Sequence, residues 1–157
     1  FEVLFPLHNL KLSHPYPAIQ SKSNSNLAAD NELVLKELPD ILMVDNDEAS
    51  REITRLFLKN ICNIDFAESG EEVIKIVKKK YYKLILMDIN LGKGLSGIET
   101  TQRIKKLKKY KNTPIVALTA FAMAGEKEEF IKLGCTHYLS KPFLKKDLLD
   151  LFKGIFY

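Results

Sequence analysis

Four apolar runs in this sequence end on polar residues of types that can do chemistry together. ILMV stops at Asp45, Asn46 and Asp47, LILM at Asp88, IVAL at Thr119, and THYLS at Lys141 followed by Pro142. Carboxylate and amide oxygens are hard donors that suit a divalent cation such as Mg²⁺, which takes one or two carboxylates together with waters and phosphate oxygens. A carboxylate that attacks phosphorus becomes an acyl phosphate, so Asp88 can serve as nucleophile and ligand at once. An ammonium and a hydroxyl then engage the phosphoryl oxygens, and positioning with electrostatics supplies nearly all of the catalysis in such a transfer. Each residue taken singly has an ordinary explanation. Asp and Asn are common turn and capping residues, a strand-end Thr can satisfy its own backbone, and a Lys can be a solvated charge. Their joint occurrence at the same edge of several strands is what points to chemistry.

That convergence requires particular elements. From residue 41 onward, short apolar runs alternate with helical periodicity. Strands are expected at 41–45, 63–68, 83–88, 113–120 and 136–140. Helices are expected at 48–60, 69–80, 96–109, ending near 126–134, and at 145–156, the first with Ile53, Leu56, Phe57 and Ile61 as its apolar set. Ser69 with Glu72, and Ser96 with Glu99, have capping-box spacing, and Asp47 is placed to cap the first helix. Strands alternating with helices predict an α/β fold, a doubly wound parallel sheet of five strands with helices on both faces. In such sheets ligands sit outside the carboxyl ends of the strands, where strand order reverses.

In order, the motifs VDND, LMDINL, ALTA and YLSKPF resemble the receiver domain of two-component response regulators, a likeness covering roughly residues 40 to 156. The resemblance implies a flavodoxin-like fold of strand order 2-1-3-4-5. It also implies that Asp88 is the phosphoacceptor, taking its phosphoryl group from a phosphohistidine with Mg²⁺ as cofactor. Asp45 would belong to the acidic pair that holds the metal, and the main-chain carbonyl of Asn90 would be a further ligand. Thr119 would be the switch hydroxyl, Tyr138 the aromatic switch, and Lys141 the phosphate-binding lysine, with a cis peptide before Pro142. The chain departs from the family at Asn46, where a second carboxylate is usual. An amide oxygen can still coordinate, but one formal charge is gone, which predicts weaker Mg²⁺ binding. A pseudo-receiver that binds partners without phosphorylation therefore stays open, as does a stand-alone single-domain regulator. A small flavin- or nucleotide-binding protein is disfavoured, since no Gly-rich loop follows the first strand.

NLGKGLSGIE lacks the proline many receivers carry after the acceptor, and with ALTAFAMAGEKEEFIKLGC it is similar to receivers attached to sensor histidine kinases. FEVLFPL at the start is similar to the last strand of a kinase ATP-binding domain, and the Pro-, Ser- and Asn-rich stretch after it reads as a linker. The expected organisation is thus residues 1–38 as kinase remnant and linker and 39–157 as receiver, the C-terminal part of a hybrid histidine kinase. His8, His14 and His137 lack the helical His-Glu setting of a phosphoacceptor histidine, so the catalytic kinase parts are expected elsewhere. Expected partners are a kinase phosphohistidine domain or a histidine phosphotransfer protein, with a homodimer left open. The expected setting is the bacterial cytoplasm, the parent kinase being open to membrane anchoring.

Composition agrees. Hydrophobic residues make up 46% and charged residues 28% of the 157, as in globular proteins. No apolar run approaches the roughly 20 residues that span a bilayer, and no direct membrane contact is expected. Cys62 and Cys135 lack CxxC or His spacing, which excludes a zinc site of that pattern and suggests reduced thiols. The net charge of +4 rests on lysine runs such as KIVKKK and IKKLKKYK. These occupy polar positions of amphipathic patterns and read as solvated helix faces, so direct nucleic-acid binding is not expected.

Overall fold

The computed structural model describes residues 37–120 and 126–157. The strand and linker expected before residue 37, with His8 and His14, lie outside the described residues. Five strands form one parallel sheet: β1 (Asp40–Val44), β2 (Asn63–Ala67), β3 (Leu84–Asp88), β4 (Ile115–Thr119) and β5 (His137–Ser140). Their order is β2-β1-β3-β4-β5, so the chain reverses direction across the sheet between β1 and β3. Helices α1 (Glu48–Phe57), α2 (Gly70–Lys79), α3 (Gly97–Lys105), α4 (Glu126–Lys132) and α5 (Lys145–Phe156) connect and close it.

The central strands β3 and β4 are buried along their whole length, as their unbroken apolar runs require. Side chains alternate between the sheet's two faces. One face packs Leu42, Val44, Ile85 and Met87 against Val73, Val77 and Ile104 of α2 and α3. The other packs Ile41, Met43, Leu84 and Leu86 against Leu58, Leu148 and Phe152 on the α1 and α5 side. Two separate cores thus hold one sheet, as expected of a doubly wound fold.

The helix boundaries are set by local chemistry. Asp47 accepts hydrogen bonds from the N–H groups of Ala49 and Ser50 and caps α1. Ser96 and Glu99 form the reciprocal capping box at α3. At α2 only half of the expected box forms: Ser69 accepts from Glu72 N–H, while the Glu72 carboxylate turns to the N–H of Glu68. The first helix also ends earlier than its periodicity predicts, because Leu58 leaves helical geometry and Asn60 takes a φ of 65°. Its inward stripe is Thr54 and Leu58; Ile53 and Leu56, expected on the apolar face, are exposed. An apolar set at 53, 56, 57 and 61 overlaps two adjacent stripes, and sheet packing selects the one containing position 54. Helix α3 likewise stops at Lys105 and gives way to a 3₁₀ turn, Lys108–Tyr110, that drives the Tyr110 ring into the core.

Candidate functional site

Strand register brings the expected residues to one edge. Val44 lies opposite Met87, Asp88 opposite Leu118, and Thr119 opposite Ser140, so Asp45, Asp88, Thr119 and Lys141 all leave the sheet at its carboxyl end. A cavity of about 520 Å³ opens there, lined by Asn46, Asp88, Asn90, Gly92, Thr119 and Lys141 among others.

Lys141 is the electrostatic centre of this edge. Its Nζ donates to Asp45 Oδ2 at 2.6 Å and to Asp88 Oδ2 at 2.8 Å. Burial works against its charge, but the two carboxylates outweigh that and hold its pKa above the ordinary lysine value. Burial pushes the Asp88 carboxyl above the ordinary carboxylate range; Lys141 and the Asn90 N–H, 2.9 Å from Oδ1, pull the other way without cancelling it. The peptide before Pro142 is cis, as the resemblance implied.

Asp45 and Asn46 are neighbours with different surroundings. Asp45 is fully buried, and its carboxylate accepts from Asp47 N–H, Ser50 Oγ and Lys141 Nζ. Asn46 is exposed and lines the cavity that Asp88 faces. Asp47 is spent on the helix cap. Tyr138 lies on β5 with 37% of its surface exposed and is not among the residues lining the cavity.

Two contributors escaped the sequence reading. Ser50 donates to Asp45 Oδ2 at 2.8 Å, and Arg51 donates to the Asp45 carbonyl at 2.7 Å and to Glu68 Oε1 at 2.7 Å. Their signal was spacing: five and six residues past a strand-end Asp, the first turns of a helix return over that strand end. The loop after Asp88 is held as well. Glu71 accepts from Leu95 N–H at 2.9 Å, and Gly97 lies so close to the Asp88 carbonyl that a Cβ there would collide with it.

The residues lining the cavity that could give a metal a donor offer oxygen: the Asp88 carboxylate, the amides of Asn46 and Asn90 and the Thr119 hydroxyl. Among the described residues no group of three or more His, Cys, Asp or Glu is placed to hold a metal ion. Such a set fits a hard cation that keeps several waters, as Mg²⁺ does, and does not fit a closed site for a soft metal.

A five-stranded parallel sheet of this order, with carboxylate, hydroxyl and lysine at its switch point, defines the receiver class of signalling domain. Residues 41–153 match the family described as response regulator receiver domain, and the chain belongs to it. It is 31% identical over 112 residues to the signal transduction histidine-protein kinase BarA of Escherichia coli (strain K12), covering 71% of this chain and 12% of that kinase. It is also 31% identical over 128 residues to the polar-differentiation response regulator DivK of Brucella ovis, covering 82% of this chain and 91% of DivK. Among solved structures, the receiver domain of sensor histidine kinase PA1611 from Pseudomonas aeruginosa superposes with a TM-score of 0.67 at 26% identity, covering 74% of this chain and 95% of that one. That structure is described with a magnesium ion coordinated in its active-site cleft. The family thus includes receivers of large sensor kinases and stand-alone regulators, and this chain spans only about an eighth of the first kind.

Proposed function

We propose that this receiver takes a phosphoryl group from a phosphohistidine onto Asp88 and signals by the rearrangement that follows. The observation that carries the reading is the Lys141 ammonium held between Asp45 and Asp88 beside an open cavity. An Asp88 oxygen attacks phosphorus, the P–N bond to the donor imidazole breaks, and its electron pair stays on that nitrogen, which takes a proton from water. Lys141 and the Thr119 hydroxyl then face the new phosphoryl oxygens. Asp45, anchored by Ser50, keeps Lys141 at the site throughout the exchange. Asp45, Asn46, Asp88 and the Asn90 carbonyl would hold Mg²⁺, which would supply charge neutralisation for the phosphoryl oxygens. Tyr138 changes exposure as Thr119 is drawn toward the phosphoryl group, altering the surface around β5.

The donor is a histidine kinase or histidine phosphotransfer protein, and the parent chain is a hybrid histidine kinase. The kinase relatives and the PA1611 receiver support this. Incubation with acetyl phosphate across a Mg²⁺ series, read by intact mass, tests it. One added phosphoryl group that requires Mg²⁺ is expected. No addition at any Mg²⁺ concentration would replace this function with phosphorylation-independent partner binding, a reading that Asn46 at the cavity wall keeps specific.

A further inference from the structure

The lysine runs that look like separate helix faces in the sequence meet in the fold. Helix α2 ends at Lys79 and the 3₁₀ turn occupies Lys108–Tyr110, and the two segments are stitched together. Lys109 Nζ donates to the Lys78 carbonyl at 3.3 Å, and Tyr110 Oη donates to the Lys80 carbonyl at 2.7 Å. The Tyr81 and Tyr110 rings pack with centroids 5.4 Å apart. Around this joint stand Lys78, Lys79, Lys108, Lys109 and Lys111, all exposed, and among the described residues none of them has an acidic partner. No Asp or Glu occurs between Val73 and Met87 or between Thr100 and Gly125. Lys80 does have acidic partners, Asp65 and Asp40, and is not counted in the patch.

We propose that this patch docks on an anionic lipid surface. Its charges are compact, strongly hydrated ammonium groups, suited to a diffuse field of lipid phosphates; no guanidinium stands among the five to pair phosphate or base edges in a bidentate fork. Tyr81, 48% exposed in the middle of the patch, is an amphipathic ring of the kind that sits at headgroup level. The patch lies where β3 and β4 begin, while Asp88 and Thr119 lie where those strands end, about 17 Å away along the five-residue strands. Docking would therefore leave the phosphoacceptor cavity facing away from the lipid and open to a donor.

Co-sedimentation of the full chain with vesicles tests the proposal, comparing phosphatidylcholine alone with phosphatidylcholine containing about one-third phosphatidylglycerol at ~0.1 M salt. The bound fraction is expected to rise at least ~10-fold on the anionic vesicles and to fall as salt is raised. It should be lost in the variant Lys78→Gln, Lys79→Gln, Lys108→Gln, Lys109→Gln. It should persist in Lys59→Gln, Lys145→Gln, Lys146→Gln, Lys153→Gln, which removes the same charge elsewhere. Circular dichroism confirms that both variants are folded, and single Lys→Gln variants within the patch replace the set if it is not. Equal binding to both vesicle types, or equal loss in both variants, overturns the proposal. Tighter binding to a random DNA duplex than to anionic vesicles at the same salt overturns it too, assigning the patch to nucleic acid.

Discussion

At position 46 an amide faces the cavity from which Asp88 would receive its phosphoryl group. A carboxylate there would add a full charge within reach of a bound cation, an interaction worth at most roughly 4 kcal/mol at about 4 Å and an effective dielectric near 20, before desolvation is subtracted. Asn46→Asp should therefore lower the Mg²⁺ concentration needed for half-maximal phosphorylation by about 10-fold or more, measured by intact mass; an unchanged midpoint would remove residue 46 from the metal site. Asp88 allows a prediction of opposite sign in stability. Its carboxyl is pushed above the ordinary range by burial, so the folded state binds its proton more tightly than the unfolded chain does. Its charge then opposes folding at pH values above the folded pKa, and the opposition disappears as pH falls below the unfolded value of about 3.9. Asp88→Asn should be at least as stable as the parent at pH 7, with the difference shrinking on acidification, as thermal unfolding at several pH values would show. Asp88, Thr119 and Lys141 were legible because each directly ends or follows an apolar strand. The sequence records Ser50 and Arg51 only as a spacing past the strand-end Asp45, which tells where the helix returns but not which of its side chains meet that carboxylate and carbonyl.

Among the elements, the junction between β3 and α3 is tightly constrained. Gly97 N–H donates to Ile89 O at 3.1 Å, and the Asp88 carbonyl occupies the space a side chain would need. Gly97→Ala must move that junction, and with it Asn90; a loss of roughly 1–3 kcal/mol is expected, the usual cost of overpacking, measured by urea denaturation. Parent-like stability would mean that the loop has slack. All five strands and five helices were legible as types, because strand burial and capping residues act over a few residues. Helix ends were less so: α1 and α3 stop short where Asn60 and Tyr110 answer to tertiary packing. The inward stripe of α1 was misread for the same reason, since Thr54 is buried by the sheet while Ile53 and Leu56 are exposed.

For the whole molecule, the doubly wound order β2-β1-β3-β4-β5 gives each sheet face its own core, and one cysteine lies in each. Burial pushes the Cys62 thiol up to about 12, and that of Cys135 above its ordinary value. The native protein should therefore react with iodoacetamide at pH 8 roughly 1,000-fold more slowly at Cys62 than an unfolded chain does, with labelling reporting global opening. Rapid native labelling would show that the α1 and α5 face opens by itself. Composition and alternating pattern made the sheet architecture legible, whereas the joining of two distant lysine runs into one surface became visible only in the fold.

Where the phosphorus goes separates Asp88 from every other carboxylate. Borohydride reduces an acyl phosphate to the alcohol, converting an aspartyl phosphate into homoserine. Treating the chain with acetyl phosphate and Mg²⁺, reducing it, and mapping peptides by mass spectrometry should place homoserine at residue 88 and nowhere else, dependent on phosphodonor. Homoserine at another carboxylate, or none at all in folded protein with Mg²⁺ present, would contradict the assignment of Asp88 as the phosphoacceptor.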